Sequence, residues 1–256
     1  MPYIHTTPHH QIYYDFTPGS KAPVFLYLHG FMSQHDTPKA KALKEVALSQ
    51  GWGYLTLDYT GHGKSSGEIT DIRIGRCLKD AQAVIENALS DQPFVVCGSS
   101  LGGWVSLLLA LQYPERIKGV IGLAPGVDFT QRVWDNYLPK SVKERLKNGE
   151  VFGPSPETGN YCWTYGLFEE AKNHLLKPKG TLDITCPVLL IQGDVDKSVP
   201  WQETVDLKDQ LASPDVTLVL VKNMEHTMKT EKEICILCDA TLSLLRKVEK
   251  SCVLTS

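Results

Sequence analysis

A serine in a glycine frame, Gly98-Ser99-Ser100-Leu101-Gly102, stands between an apolar run and a helical pattern. The frame Gly-x-Ser-x-Gly fits here in the register of Ser100 only, and its small flanking residues permit a sharp strand-to-helix turn. Such a turn lifts the hydroxyl into the open. It does so at a helix N-terminus, whose free N–H groups and positive dipole end favour developing negative charge. The chemistry this suits is nucleophilic acyl transfer.

A second frame, Gly63-Lys64-Ser65-Ser66-Gly67, lies in "DYTGHGKSSGE". It follows a strand but runs into "EITDIRIG", with no helix starting at the serine, so Ser100 is the expected nucleophile. The same stretch imitates two phosphate loops. The first glycine of a P-loop would fall at Asp58, and the third glycine of a dinucleotide fingerprint would fall at Ser66. Each fails at a position with a steric requirement, which argues against nucleotide binding.

A serine hydroxyl needs a base, and the base needs an acid to orient it. On a strand–helix sheet they follow in the order serine, acid, histidine. Of eight histidines, His226 in "KNMEHTM" lies after the last strand pattern and is the expected base. His29 ends a strand and reads as a loop brace, His62 lies in the glycine loop, and His9 and His10 read as a solvated tail. The acid belongs at the end of "PVLLIQGD", where Asp194 and Asp196 both qualify. Asp196 is favoured because it opens the D-x-x-V-P pattern of "DKSVP", while Asp194 reads as a turn residue. The oxyanion of an attacked carbonyl needs two donors. The backbone N–H groups of Leu101 and of Phe31, which follows His-Gly at a strand end, are the candidates.

These residues need a frame to carry them. "PVFLYLHG", "GYLTLDY", "PFVVCGS", "IKGVIGLAPG", "CPVLLIQGD" and "VTLVLVKN" read as strands separated by helical patterns. That alternation implies a doubly wound, mostly parallel sheet with helices on both faces. Residues 127–180 break it, with prolines at 139, 154, 156 and 178, and hold eight of the 22 aromatics where even spacing would give about five. The segment is expected to be a helical cap over the C-terminal sheet edge, where such folds bind ligands. The whole chain, 1–256, is then a single domain.

A formal net charge of -3 and ordinary hydrophobicity argue against a nucleic-acid partner. No apolar run is long enough to form an integral membrane segment. Seven scattered cysteines read as reduced thiols, with Cys77 and Cys97 in the core. "CILC", Cys235 to Cys238, lacks the second pair of a zinc site and is expected to face the core from a helix. Neither a cofactor nor a metal is expected.

Taken together, "LHGF", "DYTGHGKS", "GSSLGGW", "GDVDKSVPW" and "MEHTM" resemble an α/β-hydrolase with serine hydrolase chemistry over essentially the whole chain. "GSSLGGW" and "VPW" are most similar to the palmitoyl-protein thioesterase and acyl-glucuronide esterase branch. The resemblance implies an acyl ester or S-acylated protein as substrate, with Ser100, Asp196 and His226 in the matching positions. Trp134, Trp163 and Trp201 are expected to contact that substrate. A mitochondrial address is implied as well, although the N-terminal residues "MPYIHTTPHHQ" read as cytoplasmic, without presequence character. The competing readings are a peptidase of the prolyl-aminopeptidase type, with Glu169 and Glu170 available in the cap, and a binding protein that keeps the fold without turnover.

Overall fold

The computed structural model describes residues 2–153 and 161–254. Eight strands form one sheet in the order β1-β2-β4-β3-β5-β6-β7-β8. They are β1 (Tyr3–Thr7), β2 (His10–Thr17), β3 (Lys21–Leu28), β4 (Trp52–Leu57), β5 (Phe94–Ser99), β6 (Ile117–Leu123), β7 (Val188–Gly193) and β8 (Val216–Val221). From β4 to β8 every pairing is parallel, and β1 and β2 add an antiparallel edge. The chain steps from β3 out to β4 and back across to β5. The order therefore reverses between β3 and β5, where doubly wound sheets open a crevice at their carboxyl ends.

The strands flanking that crevice, β3 and β5, are apolar on both faces because helices cover both. α1 (Pro38–Ser49) and α8 (Glu231–Leu254) lie on one side, packing Leu43, Ala47, Leu237 and Leu245 against Phe25, Tyr54 and Val95. α2 (Ile74–Leu89), α3 (Leu101–Gln112) and α7 (Trp201–Gln210) cover the other, around Leu26, Leu28, Phe94 and Val96. The α3 sequence "LGGWVSLLLAL" is apolar all round, and the helix is buried from Leu101 to Ala110, as such a pattern requires.

Between β6 and β7 the chain builds α4 (Phe129–Arg132), α5 (Lys140–Lys147) and α6 (Tyr165–Ala171), with Phe152 and Trp163 joined in an isolated bridge. Pro154 and Pro156 lie outside the described residues. Three expectations need correction. His10 is not in a solvated tail: it sits in β2, half-buried, with Nε2 2.9 Å from Thr60 Oγ1. The pair at Cys235 and Cys238 does not turn jointly to the core, since Cys235 is exposed and Cys238 half-buried on α8. Glu170 is not on a solvated helix face. Its carboxylate accepts from the Gly75 N–H at the start of α2 and contacts His174, where the dipole of α2 favours a negative charge.

Candidate active site

Ser100 occupies the turn between β5 and α3 with φ 55° and ψ −116°. A non-glycine residue in that region is strained, so its surroundings must hold it. The Ser100 N–H donates to the Leu123 carbonyl at 2.9 Å, and its own carbonyl accepts from Gly103 and Gly126, both at 2.9 Å. The glycine frame is a packing requirement too. A Cβ at Gly98 would stand 2.1 Å from the Gly102 carbonyl oxygen, and one at Gly102 would stand 2.3 Å from that of Leu28. Neither contact can be relieved, because the opposing atom is backbone.

Across the crevice, His226 Nε2 lies 3.0 Å from Ser100 Oγ, and His226 Nδ1 lies 2.7 Å from Asp196 Oδ2. A carboxylate only accepts, so Nδ1 carries the proton and Nε2 presents its lone pair to the serine hydroxyl. Asp196 is buried. Its Oδ1 accepts from the N–H groups of Ser198 and Val199, both at 2.8 Å, and its Oδ2 accepts from Gln192 Nε2 at 3.0 Å. Burial would push this carboxyl up. The bond to His226 and its charge, with the Val199 N–H and the Gln192 amide, outweigh burial and hold it below the ordinary value. The sequence reading did not foresee Gln192. Its signal was a glutamine ending the apolar run "VLLIQG", and it ties Asp196 to the Val199 carbonyl and to Thr204.

Asp194 stands apart from this trio and accepts from the Asn223 N–H at 2.6 Å. The two loops meet closely, since a Cβ on Gly193 would stand 2.0 Å from the Met224 carbonyl oxygen. On the third side, a Cβ on Gly30 would lie 3.2 Å from Ser100 Cβ, which places the Gly30–Phe31 peptide against the serine. The loop is braced by two histidines. The buried His29 donates from Nδ1 to the Gly30 carbonyl at 2.7 Å and accepts at Nε2 from Tyr59. His62 Nε2 accepts from the Met32 N–H at 3.1 Å. Burial, first of all, lowers both imidazoles, His29 to about 3.

Ser100 opens onto two lobes. The first, about 280 Å³, is lined mainly by Phe31, Phe129, Val133, Tyr137, Leu138 and Trp163. The second contains His226. Trp163 is thus in the cavity wall, stacked on Phe168 behind it. Trp134 and Trp201 line neither lobe. Trp134 packs on Phe168 and Tyr165, and Trp201 opens α7, so both serve as local anchors. Among the described residues, no group of three or more His, Cys, Asp or Glu side chains could hold a metal, and no helix is long and apolar enough to cross a membrane.

A family model described as the alpha/beta hydrolase fold matches residues 23–152. The chain belongs to the α/β-hydrolase family. It is 32% identical over 232 residues to the bovine protein named palmitoyl-protein thioesterase ABHD10, mitochondrial, covering 89% of this chain and 74% of that one. The human protein of that name is also 32% identical, over 231 residues, with the same coverage. The solved structure of mouse alpha/beta hydrolase domain-containing protein 10 superposes with a TM-score of 0.85 at 28% identity, over 96% of this chain and 98% of that chain. A monoacylglycerol lipase of Mycolicibacterium smegmatis is 23% identical over 212 residues, 73% of this chain and 75% of its own. The protein is accordingly a hydrolase, of the ester and thioester kind.

Proposed function

We propose that the protein is a serine hydrolase that cleaves acyl thioesters and carboxylic esters through an acyl-enzyme. His226 Nε2 takes the Ser100 proton as Oγ attacks the acyl carbon. The oxyanion forms between the N–H groups of Phe31 and Leu101. His226 then gives its proton to the departing sulfur or oxygen, and water, deprotonated by the same nitrogen, releases the acid and restores Ser100. Asp196 keeps the imidazole in the required tautomer. The observation that carries this reading is the unbroken contact chain from Ser100 Oγ through His226 to the ionised Asp196.

The apolar first lobe suits an acyl chain, and the names of the bovine and human relatives point to long S-acyl groups on protein. We assign residues 127–180 as the cap of a single domain, since Phe129, Val133, Tyr137, Leu138, Tyr161 and Trp163 of that segment line the lobe. The same names favour the mitochondrion over the cytoplasm as this protein's compartment, which subcellular fractionation checks. Peptidase chemistry is disfavoured because the acidic groups that would grip an amino terminus are engaged, Glu170 by Gly75 and His174 and Glu169 by Lys172.

The test is labelling with a fluorophosphonate, followed by kcat/KM for one acyl group offered as thioester, oxygen ester and anilide. Labelling lost on Ser100→Ala, with thioester and ester far ahead of anilide, is expected. An unlabelled wild-type protein would leave the fold as a binding module, and an anilide rate at or above the thioester rate would make it an amidase.

A further inference from the structure

The acyl lobe accounts for only one side of Ser100. The second lobe, about 420 Å³, includes His226 in its wall, and the first does not. In acyl transfer the group leaving must take a proton from the histidine, so the leaving group belongs on the His226 side. That wall carries Lys39, Lys229, Ser33, Thr37 and Thr227, and neither an aspartate nor a glutamate is part of it.

Lys39 is held there against three local costs. It occupies the first turn of α1, capped by Thr37, where the helix dipole disfavours a cation. It is largely withdrawn from water, and burial lowers it to about 8, with Cys97, Asp196 and Glu233 acting the other way. Its ammonium forms no ion pair among the described residues and donates instead to Ser99 Oγ at 3.0 Å, beside the nucleophile. A cation so placed, still protonated at neutral pH, lacks a counter-ion that the protein does not supply. The cations of the acyl lobe are different: Arg132 is engaged by Glu203 and the Ser198 carbonyl, and Lys197 is exposed.

We infer that Lys39 marks a leaving-group subsite for an anionic group, a carboxylate carried a few atoms from the scissile oxygen or sulfur. This rests on the assignment of Ser100 as nucleophile and His226 as proton donor. Lys39 acts here as a specificity-determining residue, reading the leaving group rather than the acyl chain.

The experiment uses two phenyl butanoates whose phenols differ only in bearing a carboxymethyl or a neutral carboxamidomethyl group. A charge-assisted hydrogen bond predicts that the wild-type protein favours the carboxylate ester by about tenfold or more in kcat/KM. Lys39→Met should remove most of that ratio and Lys39→Arg should keep it. Lys41→Met, on the exposed side of the same helix, should leave it unchanged. Equal wild-type rates, or a preference that survives Lys39→Met, would overturn the assignment. Fluorophosphonate labelling separates the two levels: labelling with a flat ratio removes the role of Lys39 alone, whereas no labelling removes the hydrolase reading and this subsite together. One measurement needs no variant. The carboxylate phenol must inhibit the wild-type protein more tightly than the amide phenol, and equal inhibition constants would also sink the proposal.

Discussion

Ser65 Oγ donates to the carbonyl of Asp58 at 2.5 Å and accepts from the N–H of Tyr13 at 2.8 Å, fastening β2 to the loop after β4. The second glycine-framed serine is therefore a structural clasp and lines neither lobe. Ser65→Ala should lower stability by about 1–3 kcal/mol, with two partly buried partners left unpaired, and leave probe labelling intact. Ser100→Ala should abolish turnover and labelling in a protein that still melts cooperatively. Measured activity in the Ser100 variant would end the nucleophile assignment.

Asp196→Asn should reduce kcat by about 10⁴-fold, the loss expected when an amide can no longer fix the imidazole tautomer. Asp194→Asn keeps an oxygen for the Asn223 N–H and should cost less than about tenfold. Steady-state kinetics on both variants decides it, and a reversed order would move the acid to Asp194.

Trp163 and Trp134 should separate cleanly. Trp163→Leu reshapes the acyl lobe and should shift the ratio of long-chain to short-chain kcat/KM by about tenfold, a few methylenes' worth of apolar contact. Trp134→Leu should lower Tm without moving that ratio, because its ring packs on Phe168 and Tyr165 outside the lobe. A chain-length profile that changes equally in both variants would return Trp134 to the binding wall.

Acid should loosen the fold through its buried histidines. His29 is held neutral at about 3, whereas an unfolded histidine titrates near 6.5. Between those values the unfolded chain binds the extra proton, so stability is full above about 6.5 and falls as pH drops toward 3. At pH 5 the His29 contribution lost is about 2 kcal/mol. His62, lowered likewise by burial, adds to the same slope. Asp196, held low, adds its loss only below the ordinary carboxylate range. Denaturant titrations from pH 7 to 5 should show a shallower decline for His29→Asn than for the wild-type protein, and parallel declines would contradict this origin.

The parallel core was legible because both faces of its strands are covered, so the apolar runs are continuous and end at glycines. The positions of Ser100, Asp196 and His226 followed from that, as each ends a readable strand. The antiparallel edge was not legible. "YIHTTPHHQIYYDFT" mixes polar residues on both faces of strands that are largely open to water, and the pattern carries little core signal. Trp134 and Trp201 misled for a related reason: composition shows that a segment is aromatic, not which rings face inward to the ligand and which fasten the segment to itself. Lys39 was invisible since a lysine on the first turn of an amphipathic helix looks solvated until the tertiary fold folds it over Ser99.

The tight apposition of Gly193 and Met224, with Asp194 bonded to Asn223, means that the loops carrying Asp196 and His226 are mutual templates. Neither can change length or path without evicting the other. Exchange of the histidine loop with that of a distant hydrolase should therefore give an inactive chimera, and transplanting both loops together with their glycine should rescue it. In such a protein the acid and the base are inherited as one module, while the nucleophile's turn, locked separately by its own glycines, is a second.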